Sequence, residues 1–203
     1  MPISIRLQNE QVIENCVAKV LYFCSHDRSY DTYDKIAIPQ DNELHPLDIY
    51  IANNINAGIQ REHFLALWDR RFLISEKLSR IPSDLNLSAD DFDEVFWGFL
   101  NELFDACRSH DIGSARITKI LHKKRPLLIP LIDNKIVVQK YFRENIETIN
   151  TETMVRIAKF IREDVRNNLR ELCNTQEAVG ENGINLPLLR IFDMLIWEHY
   201  HPT

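Results

Sequence analysis

A carboxylate at the start of a helix can cap that helix, take a proton from water, or steady positive charge on a reacting carbon. Asp133 holds such a position. The stretch DIGSARITKILHKKRPLLIPLIDNKIVVQKYF, Asp111 to Phe142, reads as a tight turn, a helix, an apolar connector, and Asp at the next helix start. Between Cys107 and Arg143 stand nine cations, Arg108, Arg116, Lys119, Lys123, Lys124, Arg125, Lys135, Lys140 and Arg143, against Asp111 and Asp133. The window therefore carries about +7, on a chain with a formal net charge of −6. A basic patch on an acidic protein can steer a phosphate chain to one face. The candidate phosphate contacts are Ile112, Gly113, Ser114, Arg116, Lys119, Lys123, Lys124 and Arg125. They require Lys119, Lys123, Lys124 and Arg125 to line one surface beside the turn. The alternative is a solvated helix face balanced by acids elsewhere.

The string RSYDTYD supplies a second candidate. Tyr30, Asp31, Tyr33 and Asp34 place two phenol rings and two carboxylates in one loop. Tyrosine can stack on a base or bond a phosphate, and aspartate can act as a base or help hold a metal. Two acids alone make a poor metal site, and tyrosines also anchor loops to a core. In the tail WEHYHPT, Glu198, His199 and His201 would chelate only if the backbone were extended, because i and i+2 on a helix diverge. His122 stands among Lys123, Lys124 and Arg125, which disfavour its charged form. Trp68, Trp97 and Trp197 fall on apolar helical stripes and are read as core. No phosphate-binding glycine loop, zinc spacing or serine-hydrolase elbow is present, so no cofactor or metal is expected.

The elements that must position these residues are helical. Periodicity predicts helices over residues 10–24, Pro46 to about Ala57, Arg61 to Ser79, and from an N-cap at Ser88 through Phe92, Phe96, Phe99 and Phe104. Further helices are expected over Ser114 to Lys124, from Asp133 to Phe142, from a Thr151 cap to Leu172, and over Leu186 to Tyr200, with TQEAVGENGIN as a loop. LLIPLI, Leu127 to Ile132, is expected to be an extended buried connector, since Pro130 argues against a paired strand. The fold class is all-α, about eight packed helices around a helix-hairpin-helix-like centre, with no substantial sheet. At 203 residues the chain makes one domain, 1–203, or one domain of two lobes, about 1–110 and 111–203.

Composition bounds the rest. Hydrophobic residues at 45% and charged residues at 27% exclude a disordered chain, and the negative net charge excludes a wholesale polycation. MPISIRLQNEQ lacks the apolar core of a signal peptide, and no apolar run approaches a membrane span. Cys16, Cys24, Cys107 and Cys173 form no CxxC pair, and Cys107 and Cys173 sit in apolar helical patterns. A reduced, cytoplasmic protein is expected.

Helix, hairpin with Ile112 and Gly113, helix, then Asp133 resembles the helix-hairpin-helix DNA glycosylases. That resemblance implies DNA as partner, hairpin N–H groups on a phosphate, and Asp133 as the acid at a flipped nucleotide. Asp111 stands where the first hairpin glycine would be, and Ala115 where the bifunctional enzymes carry their Schiff-base lysine, so imine chemistry is not implied. A closer resemblance spans most of the chain. RSYDTYD, HPLDIYIANNIN, LSRIPSDLNL, TKILHKKRPLLIPLIDNKIV and LPLLRIFDMLIW together look like a bacterial domain family of unknown function. Three readings stand: a DNA-binding, glycosylase-like protein; a non-catalytic protein-interaction module with an exposed apolar patch; and a small-molecule or nucleotide hydrolase using Tyr30, Asp31 and Asp34 with Asp133 or Asp193.

Overall fold

The computed structural model describes residues 2–144 and 149–201. Within them the chain folds as helices against a main buried apolar cluster that includes residues from Ile5 to Ile196, with a smaller one of Tyr33, Ile38, Ile51 and Ile55 beside it. The order is β1 (Ile5–Arg6), β2 (Val12–Ile13), α1 (Cys16–His26), α2 (Pro46–Ile51), α3 (Arg61–Asp69), α4 (Arg71–Ser79), α5 (Glu94–Cys107), α6 (Ser114–Lys124), α7 (Thr151–Asn167), α8 (Leu169–Gly180) and α9 (Leu188–Tyr200). Two π-helical segments, Tyr30–Asp34 and Asn134–Tyr141, and a 3₁₀ turn, Ala52–Ile55, complete it. The all-α class is what the structure shows, with β1 and β2 forming a minimal antiparallel hairpin.

The differences from the periodicity reading have local causes. Residues 10–24 do not form one helix, because Glu10 and Asn15 take left-handed backbone. Val12 and Ile13 alternate exposed and buried as a strand does, pairing with Arg6 and Ile5. Arg61 to Ser79 divides at Arg70, whose backbone leaves the helical region. Ser88 is no cap: it turns inward to Asn86 Oδ1 at 2.7 Å, and Asp93 caps α5 instead, accepting from the Phe96 N–H at 2.8 Å. Asn150 rather than Thr151 caps α7, which stops at Asn167. Asn168 then uses its side-chain amide like a strand partner, exchanging hydrogen bonds with the Arg6 N–H (2.9 Å) and C=O (2.8 Å). TQEAVG belongs to α8, and only the following turn, with Gly183 at φ 77°, leaves the helix. Cys107 is buried as expected, whereas Cys173 is exposed.

The LLIPLI connector is extended, with Leu128, Ile129 and Ile132 buried. α6 lies beside it, and here the sequence expectation needs its main correction. Lys119, Lys123, Lys124 and Arg125 do not line a surface. Lys124 Nζ is fully buried between the Pro39 carbonyl (2.8 Å), Asp41 (2.6 Å) and Asp48 (3.3 Å). Arg125 is equally buried and donates to the carbonyls of Ile81 (3.0 Å), Leu78 (3.1 Å) and Asp41 (3.3 Å) and to Asn42 Oδ1 (2.5 Å). Lys123 Nζ reaches the carbonyls of Tyr33 (2.8 Å) and Ile36 (2.9 Å), and Lys119 Nζ that of Asn56 (3.3 Å). A polar loop without regular structure has carbonyls to satisfy, and long cationic side chains with apolar stems can enter a core to satisfy them.

The same geometry sets a stability expectation. Arg125→Met keeps the buried volume but strands several carbonyls, so urea denaturation should show a loss of about 3 kcal/mol or more. A loss under about 1 kcal/mol would contradict the role assigned to this guanidinium.

Candidate functional site

The site begins with the spacing of α9. Arg190, Asp193 and Trp197 recur at helical steps of three and four inside an otherwise apolar run, so one face carries charge into the core. Arg190 pairs with Asp34 through two bonds, Nε to Oδ1 at 2.8 Å and Nη2 to Oδ2 at 3.0 Å. Both side chains are about 95% buried, at 5% and 4% exposure. The guanidinium also lies 5.5 Å from the Phe23 ring and 5.8 Å from the Tyr33 ring.

These groups border a half-enclosed cavity of about 80 Å³. Phe23 and Asp27 come from α1 and its end, and Ile55 and Asn56 from the close of the 3₁₀ turn. Lys119 comes from α6, Leu131 and Asp133 from the connector, Ile136 and Val137 from the π-helical segment, and Arg190, Asp193 and Trp197 from α9. Asp133 caps Asn134–Tyr141: its Oδ1 accepts from the N–H groups of Lys135 and Ile136, both at 2.9 Å. Oδ2 of Asp133 takes no part in the cap.

Asp193 is the unusual member. It is 8% exposed, and its Oδ2 is buried with no hydrogen-bond partner among the described residues. Burial pushes its carboxyl up to about 8, more than Arg190 and the Leu131 backbone amide pull it down. His122 is the neutral counterpart: burial, with Arg190 nearby, pushes it down to about 4. Its Nδ1 therefore donates to the Ile129 carbonyl at 2.6 Å. Burial likewise lowers Lys119.

The expected site residues distribute as follows. Asp133 and Lys119 reach the cavity. Asp34 approaches it through Arg190, with no hydrogen bond to Asp133 among those of the described residues. Tyr33 is fully buried and donates its hydroxyl to the Lys119 carbonyl at 2.8 Å, and Tyr30 is core. Asp31 faces solvent and pairs with Lys35 at 2.6 Å. At the hairpin, Asp111 takes φ 66°, Ser109 and Ile112 form an isolated bridge, and Ile112 is buried. Gly113 precedes α6, and Ser114 bonds Asn134 Oδ1 at 3.0 Å. Arg116 is held by the Asp111 carbonyl (2.6 Å) and the Gly58 carbonyl. In the tail, His201 stacks on Trp197 at 5.0 Å, and Pro202 and Thr203 lie outside the described residues. Among the described residues no group of three His, Cys, Asp or Glu side chains converges as metal ligands would. Arg190 escaped the sequence reading, although a charged pair inside LPLLRIFDMLIW was a visible signal.

A second feature lies away from the cavity. Tyr50, Phe64 and Trp68 stack in a row at 5.0 and 6.0 Å, with Arg71 over Trp68 and Phe72. Tyr50 and Phe72 are exposed. Trp68 is thus half-buried in a surface row, where the apolar pattern placed it in the core.

Fold and site together define an all-α protein with a half-enclosed cavity bordered by Asp27, Asp133 and Asp193. The model of a family of unknown function, DUF6308, matches residues 19–200, and the chain belongs to that family. No curated protein and no solved structure matches the chain. No helix among the described residues is long and apolar enough to cross a membrane.

The raised Asp193 acidity has a measurable consequence. An unfolded Asp loses its proton near 4, whereas the folded chain holds it to about 8. Between those limits the folded state binds the extra proton, so this group makes stability fall as pH rises. The melting temperature of Asp193→Asn minus that of the parent should therefore grow from pH 5 to pH 8; parallel profiles would contradict the assignment.

Proposed function

We propose that the protein is a small-molecule hydrolase whose acid–base pair is Asp133 and Asp193. The observation that carries this reading is that both carboxyl groups line one half-enclosed cavity and differ in environment. Asp133 is half-exposed and keeps Oδ2 outside its cap, while Asp193 is buried and holds its proton. Two acids separated in this way can divide the work of hydrolysis. Asp133 takes a proton from water as its oxygen attacks and returns it to the leaving atom; Asp193 donates its hydrogen bond to the oxygen on which negative charge builds; one water adds across the cleaved bond. Asp34 positions Arg190 rather than reacting, and Asp31 is outside the site.

A second reading, a protein-interaction module, is favoured by the exposed row of Tyr50, Phe64, Trp68 and Phe72. The DNA-binding reading keeps its hairpin and Asp133 but finds Lys123, Lys124 and Arg125 committed to loop carbonyls and acids.

The test is a mass-spectrometric screen of carboxamides, lactams, glycosides and nucleosides for water addition. Asp133→Asn should cut turnover of any hit by about 10²–10⁴-fold without shifting the melting temperature, since Asn also caps helices. Turnover indifferent to Asp133→Asn, or no turnover across the panel, would refute the hydrolase reading.

A further inference from the structure

We propose that the cavity beside Asp193 selects an uncharged planar carboxamide or lactam group, bonded through its carbonyl to Asp193 and through its N–H to Asp133, and rejects phosphates and carboxylates. This rests on the reading of the cavity as a small-molecule site and narrows what that site accepts.

Charge is the first argument. A pocket for phosphate or carboxylate needs an uncommitted cation or a fan of backbone N–H groups. The two cations here are already engaged. Arg190 spends its fork on Asp34 in a doubly bonded, buried pair. Lys119 points its ammonium at the Asn56 carbonyl. An anion would meet Asp133 and Asp27 without a free positive partner. A cation would be drawn by those acids but would be set against Arg190 and Lys119 in a water-poor space. A neutral ligand meets neither penalty.

Hydrogen bonding is the second argument. Asp193 lines the cavity, and its buried Oδ2 has nothing bonded to it among the described residues. A buried polar atom left unpaired is costly, and a ligand that pairs with it recovers that cost. The carboxyl keeps its proton to about 8, so near neutral pH it donates. The ligand must therefore offer an acceptor there. Asp133, on another wall, has an oxygen outside its cap and can only accept when ionised. An amide or lactam edge offers both, one acceptor and one donor.

Size is the third. At about 80 Å³ the space equals about half a dozen water-sized volumes. It holds the polar end of a molecule or a small ring, flanked by Phe23 and Trp197.

Acetamide, acetate and acetamidinium share one shape and differ in charge. They are titrated into the ¹⁵N-labelled full chain and followed at the Trp197 indole resonance. Acetamide should bind at least about tenfold more tightly than either ion. Asp193→Ala should weaken acetamide by about tenfold, while Asp193→Asn, which keeps an N–H donor, should stay within about threefold. Acetate or acetamidinium binding as well as acetamide, no binding of acetamide, or Asp193→Asn failing as badly as Asp193→Ala would overturn the proposal. Acetamide binding without hydrolysis of any amide would sustain this ligand class and count against the hydrolase reading alone. Turnover of another substrate with no acetamide binding would do the reverse.

Discussion

The architecture depends on cations at the end of α6 satisfying carbonyls at the close of the Tyr30–Asp34 segment and along the irregular chain, residues 35–45, that follows it. Lys123, Lys124 and Arg125 reach carbonyl groups at Tyr33, Ile36, Pro39 and Asp41. Gln40 answers by donating to the Lys123 carbonyl at 2.7 Å. Asp41 and Asp48 supply the countercharge. Burial opposes ionisation of Asp41, but hydrogen bonds from Lys124 and His45 outweigh it and hold the carboxyl down at about 2. The segment from Tyr33 to Asp48 is thereby fixed against α6, and Asp34 within it is delivered to α9. A loop ordered in this way can set a charged group with the precision more often found on helices and strands.

The cavity follows from that delivery. With Asp34 in place, Arg190 enters the core as a compensated ion rather than an isolated charge, which burial alone would forbid. Arg190 is then fully committed, and Asp193 one helical turn on remains an acid without a countercharge of its own. Its burial keeps it protonated, its Oδ2 has no partner among the described residues, and the residue lines the cavity that Asp133 also borders. The α9 face thus carries one satisfied pair and one unsatisfied acid.

The all-α class, the buried connector and the cap at Asp133 were legible because each rests on local pattern: period 3.6, a proline within an apolar run, and an Asp before a helix. The hairpin at β1 and β2 was not, because Val12 and Ile13 also fit a helical stripe and only the left-handed backbone at Glu10 and Asn15 decides between them. The destination of the basic residues was hidden for a different reason. A run of lysines and arginines reads as surface, and the carbonyls that take them inside lie more than eighty positions away in sequence. Asp34 and Arg190 are separated by 156 positions, so their pairing has no short-range signature. Asp193 could be named from sequence as a carboxylate, but that its Oδ2 has no partner among the described residues is a property of the packed core.

The most direct test is a ¹³C-detected titration of the Asp193 carboxyl in the intact protein. The Asp193 midpoint should lie near 8, with Asp41 already ionised near 2. Asp193 titrating in the ordinary aspartate range near 4 would mean that its carboxylate is paired or solvated, and would contradict the unsatisfied acid on which the proposed site is built.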